Sequence, residues 1–389
     1  MLQLLEGIFN GVSIGSVLLI AALGLAIVFG LMGVINLAHG ELMMLGAYTT
    51  FVVQNTFKAY LGDWLFNYYI LFAIPIAFMV TALVGLALER GVIRYLYGRP
   101  LETLLATWGV SLILRQFVRS VNWVLAIDIV LFCALFFGGM WWLRRRLDGD
   151  KMSSLATTIL LILASAITIV TGVLLGNLGQ SAITRPWFSA RNVDVTAPGW
   201  LQGGMPIGNS QFSYARIFII ILTIICVLGT YWFLNRSSWG LRIRSVTQNR
   251  DMSACLGIPT DRVDALTFAL GSGLAGVAGC AITLLGSVGP NTGQNYIVDT
   301  FMVVVVGGVG NLFGSIIAAF AIGTLVYLIG SGTIFFLFSP VEFLQPIASF
   351  FEFFATTSMS KVMVFALIIT FLQWKPAGIF APKGRTAQL

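Results

Sequence analysis

Val12-Ser-Ile-Gly-Ser-Val-Leu-Leu-Ile-Ala-Ala-Leu-Gly-Leu-Ala-Ile-Val-Phe-Gly-Leu-Met-Gly-Val-Ile35 carries no charged side chain and no proline. A helix needs roughly 20 mostly apolar residues to cross the hydrocarbon core of a bilayer, and this run supplies them. Similar runs recur near 36–56, 69–93, 101–119, 126–143, 154–176, 214–234, 263–285, 299–330, 334–355 and 361–375. Composition points the same way. Of 389 residues, 58% are hydrophobic and 10% charged, and mean hydropathy is +0.93, whereas a soluble domain is about 25% charged. So few charges cannot wet a water-soluble body of this size. The expected fold is all-α, one polytopic integral membrane domain over 1–389 with ten or eleven transmembrane or re-entrant helices. Gly307, Gly308 and Gly310 break the 299–330 run, which reads as a re-entrant piece followed by a span. The 334–355 run holds Pro340, Glu342, Pro346 and Glu352 among phenylalanines, so it is open to lying in the interface instead of crossing.

Lys and Arg gather at 90–99, 144–151, 236–262 and 375–385. One crossing per span places the first three clusters on one face, and the tail joins them if the span count is odd. Basic loops favour the cytoplasm, so the N-terminus is expected outside and the C-terminus inside. The segment 177–213, rich in Gly, Asn, Ser and Pro, becomes the largest external piece. No cleaved leader is expected, because the first eleven residues hold no Lys or Arg. The net charge of +7 is then a matter of topology and not of nucleic acid.

Several chemistries are excluded. His39 is the single histidine, and Cys133, Cys226, Cys255 and Cys280 show no C-x-x-C spacing, so neither a metal site nor a redox pair is expected. There is no G-x-x-x-x-G-K-[ST] phosphate loop, and the glycines of 308–314 have the wrong spacing for a dinucleotide fingerprint. With sparse acids and no paired catalytic groups, a membrane-embedded enzyme is not the reading, and no cofactor is called for. Glycine pairs at Gly11/Gly15, Gly172/Gly176 and Gly310/Gly314 instead mark places where helix backbones can approach closely.

Two stretches hold the candidate functional residues. Asn36, His39, Gly40 and Glu41 fall between two apolar runs, where ionisable groups are costly and face a cavity or a partner. They either line a polar path or lock a helix break, with Asn36 capping the second helix and His39 and Glu41 bonded to backbone or to each other. The loop 236–262 is the longest basic segment. Thr247 is expected to cap a helix of about nine residues that Gly257 ends in the left-handed conformation, with Pro259 just beyond. Asp261 and Asp264 would then cap the next span. Such a helix is either a knob offered to another protein or an interfacial helix held by lipid phosphate. Arg115 and Arg119 are read as snorkelling, with Asp128 a possible partner, and the tryptophans as interface anchors.

The Ile-Asn-Leu-Ala-His-Gly-Glu run at 35–41, the Gly-x-Arg-x-Arg…Asn…Ala…Leu-Gly-Ile stretch at 240–258 and the Val-rich, Gly-rich run at 303–314 resemble the branched-chain amino-acid and urea family of ABC importer permeases. The opening, 11–54, is most similar to the urea branch of cyanobacteria. The resemblance implies a passive pore subunit in a bacterial inner membrane. It would pair with a second, related permease, two cytoplasmic ATP-binding subunits and an external solute-binding protein. It implies a path or helix break at Asn36, His39, Gly40, Glu41 and Asn311, and an ATPase-coupling loop carrying Gly240, Arg242, Arg244, Asn249, Ala254, Gly257 and Ile258. The wider importer motif's literal Glu-Ala-Ala is absent, and Ala254 and Gly257 are the positions that match it. Residues 126–180 stand where the family has a short external connection, between Arg119-Ser-Val-Asn-Trp and Thr184-Arg-Pro-Trp, and read as an inserted pair of spans. The implied substrate is urea. A branched-chain or other amino acid is the alternative, and a stand-alone urea or solute channel is the rival class.

Overall fold

The computed structural model describes residues 2–60, 62–146, 154–177, 185–188, 191–207, 210–338 and 345–380. Contacts divide the chain into two compact units, one of residues 1–112 with 192–389 and one of 113–191. Sixteen helices are described. They are α1 (Leu2–Met32), α2 (His39–Tyr60), α3 (Gly62–Phe66), α4 (Tyr69–Gly91), α5 (Pro100–Ser120), α6 (Trp123–Arg146), α7 (Ser154–Asn177) and α8 (Tyr214–Arg236). After these come α9 (Ser238–Gln248), α10 (Arg250–Cys255), α11 (Thr260–Thr283), α12 (Thr292–Gly307), α13 (Leu312–Gly330), α14 (Thr333–Phe338), α15 (Gln345–Phe353) and α16 (Thr357–Trp374). Eight of them, α1, α4, α6, α7, α8, α11, α13 and α16, are long and apolar enough to cross a membrane. The polytopic helical fold expected from composition is therefore what forms.

The first unit is built around α1. Its antiparallel neighbour α13 lies close because Gly7, Gly11 and Gly15 come round on one face: a Cβ at Gly11 would stand 2.6 Å from Thr324 Cα, and one at Gly15 2.8 Å from Ala319 O. Small residues at i and i+4 let backbones meet where lipid supplies no hydrophobic drive. Helix α11 closes the other side, with Gly271 on Gly24 of α1 and Gly276 against Gly46 of α2. The apolar core that results runs from Leu18 to Ile27 of α1 through Val303 and Val304 of α12 to Ala318, Ala319 and Ile322 of α13.

Several boundaries differ from the sequence reading. The first helix starts at Leu2 and stops at Met32. The next begins only at His39, and not at 36, because residues 33–36 leave the helix and a turn follows at Leu37 and Ala38. The 299–330 run does break, into α12 and α13 around Gly308–Asn311. The 334–355 run holds two helices of 6 and 9 residues, α14 and α15, neither long enough to cross. Pro340 and Glu342 lie outside the described residues, as do Thr184, 147–151 of the second basic cluster, and Lys383 and Arg385 of the tail. An antiparallel hairpin of β1 (Gly204–Ile207) and β2 (Ser210–Ser213) was not expected. Arg94 forms an ion pair with Asp261 at 3.5 Å, which brings the first and third basic clusters to one end of this unit.

The second unit holds α6 and α7, packed on each other. Asp128 Oδ1 accepts a hydrogen bond from Thr171 Oγ1 at 3.2 Å, and Gly172 leaves room for that carboxylate. Trp187 N donates to Val121 O at 2.9 Å, and its ring meets Trp123 edge-on at 4.9 Å.

Candidate functional site

Three places in the first unit concentrate polar groups. The first is the break between α1 and α2. His39 Nε2 lies 3.0 Å from Ala21 O; a carbonyl only accepts, so that nitrogen carries the proton. Ala21 precedes the end of α1 by eleven residues, a rise of about 16 Å. The chain thus turns back on itself after Met32, and α2 begins inside the bundle. Asn36 Oδ1 accepts from Ala38 N at 3.1 Å, the turn just ahead of α2. Glu41 takes Ser111 Oγ of α5 at 3.0 Å, and Leu37 N donates to Thr107 Oγ1 of the same helix at 3.2 Å. Asn36, His39 and Glu41 are all buried. Gly40 lets α2 touch α12: a Cβ there would run into Gly293 O and stand 2.9 Å from Ile297 Cβ. Asn311 belongs to the second break, where its Oδ1 accepts from Gly314 N at 3.2 Å and caps α13. His39 and Glu41 therefore bond to a backbone carbonyl and to α5.

The second place is 236–262. It forms two short helices, not one. Ser237 caps α9 by accepting from Gly240 N at 2.9 Å, and Asn249, not Thr247, caps α10 by accepting from Met252 N at 3.0 Å. Thr247 turns its hydroxyl to Ile243 O at 2.8 Å inside α9. The helix after Asn249 has six residues where about nine were expected. Gly257 ends it at φ +79°, a conformation that costs a β-branched residue dearly, while Ile258 N donates to Ser253 O at 3.1 Å. The following span is not capped by Asp261 or Asp264. Pro259 stands at its N-cap without a side-chain bond, and Asp264 turns instead to Arg250 at 2.8 Å.

The pair sits on the bundle through Ile243, Val246, Val263 and Ile258. Gly240 allows the close turn against the Phe233 and Leu234 carbonyls. Arg242 stacks over Trp239 at 4.9 Å, and Arg244 donates to Asn235 Oδ1 at 3.1 Å. Ala254 is exposed, as are the large apolar side chains Leu241, Met252 and Leu256, the last at 78%. Apolar groups exposed on a capped helix pair are suited to a protein or to a lipid interface.

The third place was missed in the sequence. A groove of about 880 Å³ is walled by α1, α8, α12, α13 and α16, with Asn291, Gln294, Asn295, Arg216, Asp299 and Lys361 among its lining. Lys361 Nζ meets Asp299 Oδ2 at 2.6 Å and lies 5.7 Å from the Tyr296 ring centre. Asp299 and Lys361 stand at the starts of two runs that were read only as hydrophobic; each is an ionisable residue within an apolar stretch, and that was the available signal.

Residues 7–127 and 120–372 match the family described as "Branched-chain amino acid transport system / permease component". The chain is 25% identical over 322 residues to the high-affinity branched-chain amino acid transport system permease protein BraD of Pseudomonas aeruginosa, covering 82% of this chain and 84% of that one. It is 23% identical over 387 residues to the LivH permease protein of the same type from Escherichia coli, covering 97% and 96%. A shorter likeness, 28% over 124 residues, joins it to the fructose import permease protein FrcC of Rhizobium meliloti, over 30% of this chain and 33% of that one. No solved structure matches.

Proposed function

The chain belongs to the permease-component family of branched-chain amino acid transport systems, and from that premise we propose that it is the pore subunit of an ATP-driven importer, docked through α9 and α10 to cytoplasmic ATPase subunits. A multi-pass transport component of this family is not an enzyme. The observation that carries the docking reading is the two-sided loop: Ile243, Val246 and Ile258 hold it to the bundle while Leu241, Met252 and Leu256 stand exposed. A free-standing channel has no use for such a surface, which speaks against that rival. A second permease would complete the path, with the Asn291–Lys361 groove as this chain's share of it, and a solute-binding protein would deliver from the outside. The break at 36–41 then serves as a lock on geometry, since Asn36, His39 and Glu41 already have partners inside the bundle. With the basic clusters inward, the loop faces the cytoplasm of a bacterial inner membrane and the N-terminus faces out.

For the substrate we infer urea, supported by the likeness of 11–54 to the urea branch and by the amide-rich groove lining of Asn291, Gln294 and Asn295. A second reading, a branched-chain amino acid, is favoured by the names of the relatives that cover most of the chain and by Arg216, a cation in the groove lining suited to a carboxylate. Proteoliposomes holding both permeases, the ATPases and the binding protein test both points. ATP-dependent uptake of labelled urea but not leucine supports the first reading, and the reverse result the second. Met252→Asp with Leu256→Asp should release the ATPases in pull-down; retention would reduce the loop to an interfacial helix.

A further inference from the structure

Arg250 begins α10, one residue after the Asn249 cap, and its half-buried side chain reaches back to α11. Its Nη2 lies 2.8 Å from Asp264 Oδ2 and 3.8 Å from Asp261 Oδ1, both on α11. Its Cζ lies 4.8 Å from the centre of the Tyr97 ring. The Tyr97 hydroxyl donates to Glu89 Oε1 of α4 at 3.3 Å. One side chain on the loop thus touches α11 directly and reaches the end of α4 through Tyr97.

Burial makes the contact consequential. The Asp264 side chain is 6% exposed, and Glu89 is buried beside it. A buried acid whose cation is withdrawn is strongly destabilised, far more than an exposed pair that loses a partner. Met252 on the same six-residue helix and Leu256 at its C-cap stand exposed. Displacement of Arg250 would withdraw the cation from Asp264 and the stacked face from Tyr97, whose hydroxyl donates to Glu89. A lysine could keep the charge but not the flat face that stacks on Tyr97 while reaching two carboxylates.

We propose that Arg250 is the positioning residue that transmits movement of the docked loop to α11 and α4. This rests on the docking reading above, but it makes a separate claim about how docking is felt in the membrane.

The full reconstituted complex tests it, with solute imported per ATP hydrolysed as the readout, at matched chain abundance and matched ATPase pull-down. Arg250→Ala should lower that ratio at least tenfold and Arg250→Lys by less. Adding Asp264→Asn to Arg250→Ala should leave the ratio low, because the link stays cut even when no orphaned acid remains. Full recovery in that double variant would show an unpaired charge and not a lost link, and overturns the proposal. A purely structural role would lower abundance or assembly and leave the ratio alone. An unchanged ratio in Arg250→Ala overturns the proposal. Should that variant fail to insert, an unchanged ratio in both Arg250→Lys and Asp264→Asn overturns it equally. The docking reading fails separately, when Met252→Asp with Leu256→Asp still retains the ATPases.

Discussion

Helices α1 and α11 bury most of their length, whereas α6 and α7 bury almost none of theirs. Hydropathy does not explain the difference, since α11 is less hydropathic than α7. Small residues do. Gly24 on Gly271 and Gly46 on Gly276 bring backbones together, and the loss of apolar side chains that lowers hydropathy is what permits the approach. On α6 and α7, Val130, Phe137, Ile162 and Val173 are exposed and want lipid as their solvent. One set of helices is held by its neighbours, and the other leaves most of its surface uncovered within the chain.

That contrast predicts a descending series of effects. Gly40→Leu should be worst, because its side chain would displace α2 from Gly293 and Ile297 of α12. Uptake per copy of the chain, normalised by immunoblot, should fall at least a hundredfold. Gly257→Val forces a β-branched residue to φ +79°, a strain of about 1–3 kcal/mol. Uptake should drop about tenfold while the solute-binding protein still binds its ligand normally. Glu41→Gln keeps the shape and an acceptor for Ser111 Oγ, so a fraction of uptake, between a third and all, should remain. If Glu41→Gln proved more damaging than Gly40→Leu, charge and not packing would govern the break.

The exposed pair, α6 and α7, should be the tolerant member. Thr171→Val removes the bond to Asp128, a polar contact of the class worth about 0.6 kcal/mol on average between membrane helices. Thermal unfolding in detergent should shift slightly and uptake should stay within twofold. Val173→Ala, on an exposed position, should be silent in both measurements. A large loss of uptake from either change would show that this pair does more than meet lipid.

Hydropathy made the long spans legible, and the glycine spacing at Gly11 and Gly15 correctly marked a helix contact. Gly257 was legible too, because a glycine two residues before a proline has few other uses. The loop's caps were not: Thr247, Asn249 and Ser237 are all competent, and tertiary packing of Ile243 and Val246 chose which of them fall at helix ends. The start of α2 was misplaced for a related reason. Asn36 is a good cap in isolation, but the bond from His39 to Ala21 fixes where the chain can re-enter a helix. Asp299 and Lys361 lie 62 residues apart, and nothing local in either run announces the other. The hairpin at 204–213 escaped because its strands are four residues each, too short for alternation to stand out.

The inward start of α2 has an electrical side. A helix N-terminus carries roughly half a positive charge from its unpaired amides, and here that end sits at the depth of Ala21, away from water. Left bare, it would draw anions toward the middle of the bundle. Glu41 occupies the first turn of α2, so its carboxylate, when ionised, answers that dipole from within the same helix. A helix end met by an acid in its own first turn has its answer to the dipole built into the sequence and does not depend on a neighbouring helix to supply it.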